Sequence, residues 1–243
     1  MTLNVSWIRS RNALSLLRDR LTPKLVEHKQ KLSRSSCAVF IPVCHREDQL
    51  NLLFTKRTET LNSHTGQISY PGGRCEDGET ARETSIREME EEIGVSPSQV
   101  WGSLSRPVVS LKLENVYACV GYIGHFEDLK IKLSPNEVSH VFTVPLEDLV
   151  HSRFEKTYQN QRSRRQWEML ADRVDSEFDD QQDRAENIRR ISQISEYAMP
   201  VFPSPLDTDP DIWGLTAVMT DRLLYTAFRI NGYKKHTFTP APK

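Results

Sequence analysis

The stretch from Thr80 to Val95 carries its own boundaries and a density of negative charge that needs an explanation. Thr80 and Glu83 stand in the spacing of a capping box, and Gly94 falls where a helix takes a left-handed terminal residue. The spacing predicts a helix from about Thr80 to Ile93. At about 100° per residue, Ser85, Ile86, Met89 and Ile93 form a core-facing flank, and Glu88, Glu91 and Glu92 gather beside it. Like charges at these separations disfavour a helix by roughly 0.2–0.5 kcal/mol per pair. Arg87 reaches Glu83 or Glu91 one turn away, but it brings one positive charge to a cluster that also holds Glu88, Glu90 and Glu92. A divalent cation fits the remainder, because hard cations such as Mg2+ take carboxylate oxygens together with waters and substrate phosphates. The glutamates taken alone also read as a solvated acidic face.

The preceding loop adds to the first reading. Tyr70-Pro71-Gly72-Gly73 permits a tight turn without side chains to obstruct a metal or phosphate, and Asp77-Gly78 adds a second turn. A loop feeding a helix N-terminus places backbone groups beside the acidic flank, as a metal-bridged phosphate requires. Gly73, five residues, Glu79, seven residues, then Arg87-Glu88-Met89-Glu90-Glu91-Glu92-Ile93-Gly94-Val95 resembles the Nudix box in its defining positions. The resemblance implies an α/β/α sandwich around a mixed β-sheet. It also implies Mg2+ or Mn2+ as cofactor, and Glu88, Glu91 and Glu92 as metal ligands. Glu91 and Arg87 are implied in catalysis, Arg87 by orienting a glutamate, and water is the nucleophile. Glu137 is a further acid outside the box, an extra ligand or general base by the same resemblance and otherwise a turn carboxylate.

A second pattern lies upstream. Leu52-Leu53-Phe54-Thr55-Lys56-Arg57-Thr58, then Gly66 and Tyr70-Pro71-Gly72-Gly73, resembles the motif of the coenzyme A diphosphatases within the Nudix family. Asn62 stands where that motif has arginine, Thr58 replaces a smaller residue, and Tyr70 replaces phenylalanine. The resemblance implies that Arg57, Gly66, Pro71, Gly72 and Gly73 bind substrate. The substrate is then coenzyme A or acyl-CoA, hydrolysed at its diphosphate to 3′,5′-ADP and 4′-phosphopantetheine or its acyl form. The fork of Arg57 suits either the diphosphate or the 3′-phosphate. Asn136-Glu137-Val138, Val144 to Leu149 and Ile212 to Ala217 resemble later parts of the same family. Alternatives are a Nudix hydrolase of another nucleoside diphosphate compound (ADP-ribose, NADH or a dinucleoside polyphosphate) and a non-catalytic nucleotide-binding module.

Apolar runs at Ser36–Val43, Leu50–Thr55, Val100–Leu104, Val116–Ile123 and Val138–Val144 read as strands, with His45 to Gln49 connecting the first two. Ile212 to Phe228 reads as a closing helix in which Trp213 packs in the core. The domain is expected over residues 35–230, with a charged insertion at about 153–197 and a tail at 231–243. With 32 basic and 33 acidic residues the chain has no net field to attract nucleic acid. The expected partner is a small-molecule substrate, and no apolar run spans a membrane. Cys37, Cys44, Cys75 and Cys119 lack the spacing of a zinc cage or disulfide framework. Residues 1–34 are a basic extension, and Met1 to Arg18 lacks acidic residues while carrying Arg9, Arg11 and Arg18 among serines and leucines. That composition suits a mitochondrial leader or a basic amphipathic helix packed on the domain, the cytoplasm and peroxisome being alternative locations. The sequence leaves the oligomeric state open.

Overall fold

The computed structural model describes residues 6–59, 66–110, 114–159, 196–206 and 209–228. In chain order, helix α1 (Ala13–Leu21) precedes strands β1 (Cys37–Arg46), β2 (Gln49–Arg57), β3 (Ile68–Ser69) and β4 (Gly72–Arg74). Helix α2 (Ala81–Ile93) is followed by β5 (Gln99–Ser103), β6 (Val108–Val109), β7 (Asn115–His125), β8 (Val138–Pro145) and helix α3 (Leu146–Ser152). Strands β9 (Phe154–Gln159) and β10 (Glu196–Val201) then lead to helix α4 (Gly214–Phe228).

The alternation of buried side chains builds one mixed sheet. β1 pairs antiparallel with β2 and parallel with β7, β7 pairs antiparallel with β5 and β6, and β8 lines β2. Ala38, Phe40 and Leu53 face α2, where they bury Met89 and Ile93. Phe54, one residue on from Leu53, points to the opposite face and stacks between Tyr70 and Phe142, with ring centroids 4.9 and 5.7 Å away. Helix α4 covers that face, its Thr220 hydroxyl in hydrogen-bond contact with the Tyr70 hydroxyl at 2.7 Å. The expected α/β/α sandwich is therefore present.

The feature that positions the site is a split in this sheet. β1 and β2 separate toward one end, and the segment from Ile68 to Arg74 fills the gap. β3 pairs with β2 there (Thr55 opposite Ser69), and β4 pairs with β1 (Ala38 opposite Gly73). The chain crosses between them at Tyr70-Pro71, so the Gly72-Gly73 turn is sheet backbone as well as loop.

Three expectations change. The loop read at His45 to Gln49 shrinks to Glu47 and Asp48, both at positive φ (50° and 59°), because a two-residue hairpin turn of that hand matches strand twist. Trp213 is 40% exposed instead of packed in the core, since the helix starts only at Gly214 and the indole precedes its buried flank. The closing helix accordingly begins two residues later than expected.

The basic N-terminal segment is a helix seated on the domain. Leu17 and Leu21 of α1 are fully buried, Trp7 stacks on Phe228 at 5.1 Å, and Arg20 lies over the Trp7 ring while donating to the Ala227 carbonyl. Beyond Arg153 the chain enters a separate unit, of which the two-stranded β9–β10 sheet is described. Most of the charged insertion and the tail lie outside the described residues, as does Asn62. Among the described residues, no helix is long and apolar enough to cross a membrane.

Candidate active site

Helix α2 supplies the acids because its ends are fixed. Thr80 accepts from the Glu83 N–H while Glu83 accepts from the Thr80 N–H, and Gly94 closes the helix at φ 71°. Glu83 also takes Lys31 at 3.0 Å, so it is committed to the cap and is not a partner of Arg87. Arg87 turns instead to Glu79. Its Nε and Nη2 donate to the two oxygens of Glu79 at 2.8 and 3.1 Å, Nη2 also donates to the Arg74 carbonyl, and Nη1 bridges Glu88 at 3.0 Å and Glu91 at 2.9 Å. One guanidinium thus ties the loop, the glutamate ahead of the helix cap and two acids of the helix together. Glu79 is the functional residue whose role was missed. It was visible as a fixed position of the box, but its bond to Arg87 depends on the bend between loop and helix. Those bonds from Arg87 pull its carboxyl down to about 2.

The three glutamates do not share one environment. Glu92 is buried, its side chain 4% exposed; Glu88 is nearly so; Glu91 lies 58% exposed against Arg87. Burial pushes Glu92 up to about 8, with Glu88 and Glu137 raising it further and Arg57 opposing. Burial likewise raises Glu88, against the pull of Arg87. Glu137 stands exposed at the start of β8, near enough for its charge to raise both.

The residues of the upstream pattern meet this cluster. Arg57, at the end of β2, places Nη1 4.0 Å from Glu92, and its backbone N–H donates to the Gln67 carbonyl. Gly66 sits beside it in a left-handed conformation, φ 65°, where a Cβ would lie 2.5 Å from Glu59 Oε1. Buried Pro71 accepts from the Phe40 N–H at 2.9 Å. Gly72 donates its N–H to Glu92, and a Cβ there would strike the Ala38 carbonyl at 2.5 Å. A Cβ on Gly73 would fall 2.5 Å from the carboxyl carbon of Glu88, so the glycine is what lets main chain and carboxylate meet.

Two buried polar atoms in this cluster have no hydrogen-bond partner, Arg57 Nε and Glu92 Oε2. Orphaned groups of this kind are costly and point to a missing ligand. Among the described residues, no three acidic, histidine or cysteine side chains converge into a complete cage. Glu88 and Glu92, with the glycine backbone between them, fit the sparse protein set that Mg2+ or Mn2+ takes when waters and phosphates complete the shell. Beside Glu88 lies a cleft of about 420 Å³, lined by Arg34, Arg74, Cys75, Glu76, Arg87 and Glu88.

Residues 35–176 match the model for the NUDIX domain, more than half of the chain. Nudix hydrolase 3 of Caenorhabditis elegans is 37% identical over 131 residues, 53% of this chain and 54% of that protein. An uncharacterized Nudix hydrolase of Escherichia coli K12, NudL, is 37% identical over 139 residues, 56% of this chain and 67% of its own length. The chain therefore spans about half of the first relative and two thirds of the second. Among solved structures, a MutT/nudix family protein from Enterococcus faecalis aligns with a TM-score of 0.42 at 16% identity, over 84% of this chain and 64% of that one. With its box assembled around Arg87 and its match covering residues 35–176, the chain belongs to the Nudix hydrolase family.

Proposed function

We propose that this protein hydrolyses the diphosphate bond of coenzyme A or acyl-CoA, releasing 3′,5′-ADP and 4′-phosphopantetheine or its acyl form. The observation that carries the proposal is the meeting of Arg57, Gly66 and Pro71-Gly72-Gly73, the residues resembling the coenzyme A motif, at Glu92 and Glu88. Arg57 lies against the carboxylate cluster, which supports contact with the diphosphate over contact with the 3′-phosphate. Glu88 and Glu92, with Glu91 completing the set, would hold Mg2+ or Mn2+, which would supply charge neutralisation of the diphosphate and a more acidic water. Arg87 holds Glu88 and Glu91 in place through its anchor on Glu79. Glu91 or Glu137, the two exposed acids of the site, accepts the proton from water. Intact Arg87, Glu88, Glu91 and Glu92 weigh against a non-catalytic binding module.

Incubating the protein with coenzyme A, with and without Mg2+ or Mn2+, and identifying products by mass spectrometry tests the reading. Metal-dependent 4′-phosphopantetheine, absent with Glu92→Gln, is expected. Turnover of ADP-ribose, NADH or a dinucleoside polyphosphate alone would move the assignment to another substrate of the same family. We also propose mitochondrial delivery by the acid-free, arginine-bearing N-terminal segment. A fusion of residues 1–31 to a fluorescent reporter checks this, and a diffuse cytosolic signal would count against it.

A further inference from the structure

Helix α4 lies on the face of the sheet opposite α2, yet its hydroxyls reach the loop that faces the catalytic acids. Thr216 Oγ1 donates to the Ile68 carbonyl at 3.1 Å, and one turn later Thr220 Oγ1 donates to the Thr216 carbonyl at 2.8 Å. The Thr220 proton is therefore committed, so in the 2.7 Å contact between Tyr70 and Thr220 the phenol is the donor. Both threonines and Tyr70 are buried, which leaves water no part in these bonds. Of the two anchored residues, Tyr70 lies immediately before Pro71 and Ile68 two residues further back; the Pro71 carbonyl is held by Phe40, and the Gly72 N–H by Glu92. The helix is itself pinned on two sides: Arg153 bonds Asp221, and the N-terminal segment packs over its C-terminal end through Trp7 and, from α1, Arg20.

We propose that Tyr70, Thr216 and Thr220 are positioning residues, through which α4 sets the Gly72-Gly73 backbone against the carboxylates of Glu92 and Glu88. The inference rests on the hydrolase reading above, though not on coenzyme A as the substrate. The Tyr70 hydroxyl ties the loop to a helix on the face of the sheet opposite α2.

The test uses Tyr70→Phe, which leaves Thr220 satisfied by Thr216, together with Thr220→Val and Thr220→Ser in the full chain. Mn2+ affinity is read by electron paramagnetic resonance without substrate, and kcat and KM are read on coenzyme A. Tyr70→Phe and Thr220→Val are expected to weaken Mn2+ binding about tenfold. They should lower kcat by about the same factor with KM little changed, since displaced groups cost the reacting geometry more than binding. Thr220→Ser, which keeps the hydroxyl, should restore both. Folded Tyr70→Phe protein with a lower melting temperature but unchanged Mn2+ affinity would overturn the proposal, as would a Thr220→Ser loss equal to that of Thr220→Val. Wild-type protein that binds Mn2+ without cleaving coenzyme A would sink the substrate reading alone, and the Mn2+ comparison would still decide this one.

Discussion

The chemistry of this site turns on single atoms brought close. Gly73 has room for a hydrogen but not a methyl, since a Cβ would meet the Glu88 carboxyl at 2.5 Å. Gly73→Ala should therefore displace Glu88 and cut turnover by about 10²-fold, a loss typical of misplacements near 1 Å. Its circular dichroism spectrum should be unchanged; retained turnover would show that Glu88 moves freely. Arg87→Lys keeps the charge but cannot span Glu79, Glu88 and Glu91 at once. Turnover and Mn2+ affinity are expected to fall about tenfold or more, and matching wild-type values for both would remove Arg87 from an orienting role. The sequence showed the acids of α2 because helical spacing alone places Glu88 and Glu92 on one flank. It did not show that Arg87 answers to Glu79, or that Glu91 would lie exposed while Glu92 is buried. Those facts depend on where the loop and sheet press against the helix.

At the scale of elements, the long strands and α2 were legible because their periodicity and caps are local. Strands β3 and β4 were not, being two and three residues long and defined only by the gap they fill. The β1–β2 turn carries strain that a substitution relieves. Glu47 and Asp48 both occupy the left-handed region that Asn-Gly adopts more readily, so Glu47→Asn with Asp48→Gly should stabilise by about 1 kcal/mol in urea unfolding. A loss of stability would mean that the two acidic side chains contribute more than the turn costs.

The segment before α4 is clipped to β2 and β8 by Asp209, whose carboxylate takes Lys56 at 2.9 Å and His140 at 2.7 Å. Burial pushes this carboxyl up, but the bonds from Lys56 and His140 outweigh it and leave it below the usual aspartate range. A carboxyl depressed by folding adds stability that is complete above its unfolded value and fades as pH falls through its folded value. Asp209→Asn should thus cost about 1–3 kcal/mol near neutrality. Its stability curve should converge on wild type below about pH 4, and parallel curves would contradict the clip.

At the scale of the molecule, the N-terminal segment offered two readings from one composition. Arginines among leucines without acids suit a leader and a packed amphipathic helix equally, and only the partner surface on α4 distinguishes the packing. Leu17→Ala should cost about 2–5 kcal/mol, as truncation of a fully buried leucine does, where a mere appendage would tolerate it. Thermal unfolding of the full chain measures this. Seated in this way, α1 is a layer of the finished fold, and the mitochondrial delivery proposed above would put a second demand on the same stretch, since an import machinery would have to read it unfolded. A processing cut after Leu21 would strip that layer from Phe228 and Ala227, whereas a cut ahead of Ser6 would leave it whole. The first residue of the mature chain, sequenced from cells, thus records whether transport or packing has the final claim on this segment.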